Sequence, residues 1–162
     1  MDESALAALE YPAIVERLAA ATATPYGAEL ARALVPSGDA DEVARRQALT
    51  AEAIALLDHA AEPPLDRIHD VRPAAALAGR GGVLSPDALA RIAATIGGGL
   101  GARAAVESER ELAPLLAELA AAIDAGLAPL AKEIGRCVEE DGSDLRDSAS
   151  PRLRKLLRSL AT

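Results

Sequence analysis

The chain has 162 residues, is rich in alanine and leucine, and holds no Phe, no Trp and only Tyr11 and Tyr26 as aromatics. That length suits one domain, or one domain with the root of an arm, and the lack of β-branched or aromatic runs excludes a strand-built fold, so an all-α fold is expected. The net charge of −8 is uneven: 13 acids face 5 Lys/Arg in residues 1–70, 12 face 8 in residues 71–150, and none face 4 in residues 151–162. Only the last segment therefore invites phosphate, and the body by itself is no nucleic-acid clamp.

In chain order, Ser4 to Leu9 reads as a short helix, and Pro12 opens a second that carries Ile14, Val15 and Leu18. Thr24-Pro25 marks a break, after which Tyr26, Leu30 and Leu34 give a third short helix, ended by Pro36-Ser37-Gly38. Asp39 or Asp41 caps the next helix, with Glu42 in its first turn, where the helix dipole favours an acid. Leu49, Ala53, Leu56, Leu57 and Ala60 form its expected buried face, and Pro63-Pro64 stops it. A polar connector from Asp66 to Pro73 leads into Ala74–Ala78, and Gly79, Gly81 and Gly82 make a turn.

Ser85-Pro86-Asp87 has the composition of a helix start: a cap, a proline in the first turn, then an acid. Leu89, Ile92, Ala93, Ile96 and Leu100 give that helix its stripe. Gly97, Gly98, Gly99 and Gly101 fall inside the same run, and each glycine costs about 1 kcal/mol relative to alanine, so a break or kink is expected there. Helices over Leu112–Ile123 and Leu127–Val138 follow.

Candidate chemistry is sparse. The GGGLG run at Gly97–Gly101 lacks the lysine and hydroxyl that a phosphate loop needs, and no strand precedes it. Asp66, His69 and Asp70 stand at i, i+3 and i+4, but a metal site wants a fourth ligand and a supporting shell, so a solvated connector is the expected reading. His59 reads as a favourable charge at a helix C-terminus. Glu139–Asp147 misses the calcium-loop spacing, with Arg146 among the acids. Cys137 is alone, which excludes an internal disulfide, fits a reducing cytoplasm and reads as an inert buried thiol. The acidic N-terminus suggests no signal peptide, and the longest uncharged run, Ile92–Ala102, is too short and glycine-rich to span a bilayer. No catalytic residue, metal ligand or cofactor-binding residue is expected.

The last stretch, Glu139–Thr162, is the most distinctive. Asp141-Gly142 supplies a chain reversal, Asp147, Ser148 and Ser150 can bond their own backbone, and Ser150-Pro151 is a cap followed by proline at the first helical position. Leu153, Leu156, Leu157 and Leu160 then recur at i, i+3, i+4 and i+7, with Arg152, Arg154, Lys155 and Arg158 mostly off that stripe. No stop signal precedes Thr162, so this reads as the root of a lever or coiled-coil arm, and residues 141–162 are set apart from a helical body over 1–140.

Taken together, LAALEYPAIVERLA, TPYGAELARALVPSGD, IHDVRP, GGVLSPDALARI and EDGSDLRDSASPRLRKL resemble the start of the second bacterial MutS paralogue, the MutS-two endonuclease branch of the mismatch-repair MutS family. The resemblance covers essentially the whole chain. Its most specific part runs from Asp141 and Gly142 through Asp147, Ser148, Ser150 and Pro151 to Leu153; the glycines at 97–101 depart from it, since relatives carry an unbroken basic helix there.

The resemblance implies a MutS-type helical core with the root of a coiled-coil lever, in a homodimeric cytoplasmic protein whose ATPase, using ATP and Mg, and Smr nuclease lie in other segments. It implies a clamp that closes on branched DNA, suppressing recombination, or on stalled ribosomes and their rRNA. Residues 147–151 would be the joint, and Arg152, Arg154, Lys155 and Arg158 the first phosphate-facing residues; the bland reading of those four is a solvated helix face. The aromatic Phe-x-Glu wedge of classical mismatch recognition has no counterpart, because the chain has no phenylalanine. The alternative, from a different class, is a self-standing helical adaptor that binds a partner helix through Leu153, Leu156, Leu157 and Leu160.

Overall fold

The structure, a computed structural model, describes residues 3–60, 62–139, 141–146, 149–152 and 155. Among them are eight α-helices and no strand: α1 (Glu3–Ala8), α2 (Tyr11–Ala20), α3 (Pro25–Arg32), α4 (Ala40–His59), α5 (Arg72–Gly79), α6 (Pro86–Ser108), α7 (Pro114–Ala120) and α8 (Ala128–Cys137). The fold is all-α, as the composition requires. The chain packs as two compact units, one of Met1–Asp66 with Ala102–Ala122, the other of Arg67–Gly101 with Ile123–Thr162.

Local chemistry sets most boundaries. The Thr24 side chain accepts the Gly27 N–H at 2.9 Å to cap α3, and Asp39 accepts from Asp41 and Glu42 to cap α4. Ser85 caps α6 by accepting the Ala88 N–H at 3.2 Å. The turn from α1 into α2 runs through Glu10 at φ 54, a left-handed conformation that costs a non-glycine residue about 1 kcal/mol.

In the first unit, α2 packs on α1 and α3, and α4 packs on α7. Small side chains make these contacts: Ala19, Ala31, Ala113, Ala117 and Ala120 are buried alongside Val15 and Leu56. Arg32 on α3 forks onto the Glu16 carboxylate of α2, and the Tyr11 hydroxyl donates to the Leu34 carbonyl at 2.9 Å. Across α4 and α7, the Glu52 carboxylate accepts the Leu115 and Leu116 N–H groups at 3.2 and 2.9 Å.

Leu56 is buried on the expected face of α4, but burial departs from the periodicity at other positions. Ala31, not Leu30, is the buried residue of α3; Leu30 is 73% exposed, and Ile14, Leu18 and Leu57 also face outward. In a helix of two turns a shift of one position rotates the face by about 100°, and a buried alanine leaves little hydrophobic signal to fix the phase.

In the second unit, Ile134 and Val138 are the buried residues of the α8 end. The connector is tied to α6: the His69 N–H donates to Thr95 Oγ1 at 3.0 Å. The expected break at Gly97–Gly101 is absent, for α6 is one helix from Pro86 to Ser108. Gly98 is buried within it, and Gly99 lies in ordinary contact with Ile123, where a Cβ would be 3.8 Å from Cγ2. Neighbouring residues thus hold the helix across glycines that would weaken it in isolation.

Candidate functional site

The stretch singled out in the sequence as the joint starts where α8 ends. Val138 leaves the helix in extended geometry, is 2% exposed, and forms an antiparallel bridge with Leu145. Around that bridge the Glu139 N–H donates to the Asp144 carbonyl at 3.0 Å, and the Arg146 N–H to the Cys137 carbonyl at 2.8 Å. The reversal between them is made by Gly142 at φ 69, the left-handed region that glycine alone enters without strain. Asp141 closes the turn by accepting from both the N–H and the hydroxyl of Ser143, at 3.0 and 2.6 Å. Those bonds, the hydroxyl first, hold the Asp141 carboxyl below the usual aspartate range.

Arg146 is the organiser that sequence reasoning missed. Its Nε donates to the Val138 carbonyl at 2.8 Å and lies 3.7 Å from the Glu139 carboxylate, so it fastens the outgoing chain to the end of α8. The signal for it was present, since an arginine among acids was noted, but only as an argument against calcium. Residues 141–146 are therefore a closed, hydrogen-bonded turn and not a loose linker. Beyond it the Ala149 N–H donates to the Arg146 carbonyl at 2.7 Å, and Pro151, Arg152 and Lys155 are helical and exposed. Asp147 and Ser148 of the joint, Arg154 and Arg158 of the basic set, and the stripe of Leu153, Leu156, Leu157 and Leu160 lie outside the described residues.

The turn is anchored on α6. A Cβ at Gly142 would lie 3.0 Å from the Asp87 Cα and 3.1 Å from the Ala90 Cβ. Beside it, a cleft of about 400 Å³ is walled by Ala90, Ala94, Ile134 and Gly135, with Arg67 and Arg146 at its lining.

Other sequence candidates resolve simply. Asp70 gives both carboxylate oxygens to the Arg72 guanidinium, at 2.8 and 2.7 Å, while Asp66 falls in the first unit and His69 in the second. No group of three His, Cys, Asp or Glu side chains among the described residues could hold a metal ion. Cys137, expected as a buried thiol, is half-exposed because it sits in the last turn of α8 next to the bridge. Gly97–Gly101 is helix interior, not a phosphate cradle. Among the described residues no single helix is long and apolar enough to cross a membrane.

The two units differ in charge. The first unit carries 16 acidic residues against 6 Lys/Arg, and the second 9 against 11. The second unit's excess of bases comes from residues 151–162, without which it holds 9 acids against 7 Lys/Arg.

No protein-family model matches the chain. It is 39% identical over 160 residues, 99% of its length, to endonuclease MutS2 of Symbiobacterium thermophilum. It is 37% identical over 158 residues to endonuclease MutS2 of Geobacillus thermodenitrificans, and 32% over 161 residues to that of Pelotomaculum thermopropionicum. The chain spans about 20% of the length of each of these relatives. Along nearly its whole length, the chain is homologous to a segment of the MutS2 proteins.

Proposed function

We propose that this chain is the core-and-lever portion of a cytoplasmic MutS2-type protein and has no catalysis of its own. In the full-length homodimer it carries the state of the ATPase into the clamp arms that close on branched DNA; stalled ribosomes are the second substrate class. The observation that supports this reading is the closed turn at Val138–Arg146, pinned to α6 through Gly142 and to α8 through Arg146. A lever needs a fixed root, and the closed turn at 138–146 has the character of one. ATP and Mg would be held elsewhere in the full-length protein: no G-x-x-x-x-G-K-[ST] sequence occurs here, and no step is assigned to these residues through them.

The basic segment is the first part to meet phosphate. Arg152, Arg154, Lys155 and Arg158 together can release about four counterions, giving a log–log salt slope near −3.6 on duplex DNA. The test is titration of the purified chain with branched and linear DNA at low and moderate salt. Weak binding with a negative slope near that value, lost when all four are replaced by alanine, is expected, because the net −12 of residues 1–150 opposes approach. Tight, salt-resistant binding, or binding indifferent to the four substitutions, would overturn the proposal.

A further inference from the structure

The first unit has an apolar groove of its own. It is open, about 870 Å³, and lined by Tyr11, Leu30, Leu34, Val35, Val43 and Leu49 among others. Leu30 is 73% and Val35 60% exposed. A contiguous apolar cluster at a surface is a candidate contact site.

We propose that this groove receives a cationic amphipathic helix. The one basic side chain in its lining, Arg46, is already engaged, with the Glu42 carboxylate and, at 3.0 Å, the Val35 carbonyl. Glu10, Glu29, Asp39, Asp41 and Glu42 are exposed neighbours of the lining residues in the chain, against Arg32, which is paired with Glu16, and Arg45. An apolar floor thus lies in the unit with 16 acids against 6 bases. Its occupant brings leucine-type side chains at i, i+3, i+4 and i+7 to the floor and Lys or Arg to the rim, the helix-in-groove mode of recognition. A second copy of the same groove is disfavoured, since two strongly acidic faces would meet. Strand addition has no edge to add to among the described residues. The inference rests on the first unit alone and is independent of the DNA reading.

The test uses the full chain and a labelled designed peptide of about five helical turns, with leucines at helical spacing and lysines elsewhere. A matched peptide carries glutamate in place of lysine. The lysine peptide is expected to bind, more weakly as salt rises, and the glutamate peptide not to bind. Leu30→Asp with Val35→Asp is expected to weaken binding at least about ten-fold, or about 1.4 kcal/mol. Both side chains are exposed, so the fold tolerates the change, which circular dichroism checks. Added aspartates strengthen the charge attraction, so the loss reports the apolar floor alone. Leu57→Asp, on α4 but outside the groove, is expected to change nothing. Equal binding of both peptides, or an unaffected double variant, would overturn the proposal. So would self-association through the groove that the lysine peptide fails to displace, because the occupant would then be something other than a basic helix.

Discussion

Gly142 meets Asp87 with no room for a side chain between them: a Cβ at 142 would lie 3.0 Å from the Asp87 Cα. Gly142 is also held at φ 69. Two independent causes therefore demand glycine here, one from the backbone and one from the partner. Gly142→Ala adds a left-handed penalty of about 1–2 kcal/mol to a clash with backbone that cannot swing away. Urea denaturation should show a loss of about 2 kcal/mol or more, whereas Gly135→Ala in α8, with nothing within 4 Å, should show none. Equal effects at the two glycines would remove the turn from its anchoring role.

The Asp141–Ser143 closure makes a pH-dependent contribution. The Asp141 carboxyl is depressed by the Ser143 hydroxyl and then by the Ser143 N–H, so the folded state favours its charged form. A depressed acid contributes stability that is present above its unfolded pKa, about 3.9, and is lost as pH falls through the folded value. Wild type should therefore exceed Ser143→Ala in urea midpoint by a constant margin between pH 5 and 8. The margin should close as pH falls below the ordinary aspartate range. A margin that stays constant down to acid pH would mean the hydroxyl acts without the charge.

How legible the fold was depends on whether its causes are local. Asp39, Ser85-Pro86 and Asp141-Gly142 announce their caps and turn because the chemistry lies within three residues of itself. The partner of Gly142 could not be read, since Asp87 is far away in sequence. The spacing of Tyr26, Leu30 and Leu34 marks a helix but does not say which face is covered; Ala31 is buried and Leu30 exposed, so the apolar groove is not legible from it. The glycines of α6 were read as a break because their cost is local while the packing that offsets it is not. Family resemblance reached furthest, because it draws on the whole chain at once.

The continuity of α6 has its own test. Gly97 is an exposed helix-interior glycine with open space where a Cβ would go. Gly97→Ala should raise stability by about 0.5–1 kcal/mol, as alanine does in any unstrained helical site. If positions 97–101 formed a break, alanine would gain nothing or cost stability. A urea midpoint that rises with the slope unchanged separates the two.

Glu52 carries the last prediction. α7 is only seven residues long and opens on Ala113, which has no side chain able to cap it, followed by Pro114, which has no N–H to offer. The next two N–H groups, of Leu115 and Leu116, both point to the Glu52 carboxylate of α4. The cap of one helix is thus supplied by another, and the negative charge sits where the α7 dipole favours it. Just beneath, Ala113 and Ala117 are wholly buried, so water cannot easily replace the lost acceptor. Glu52→Ala should cost about 1–3 kcal/mol, with Glu52→Gln in between because it keeps one oxygen. Amide exchange at Leu115 and Leu116 should speed up first in both variants. Unchanged exchange at those two amides would mean that packing on Ala113 and Ala117 alone orders α7, and that the contact with Glu52 follows from the helix instead of forming it.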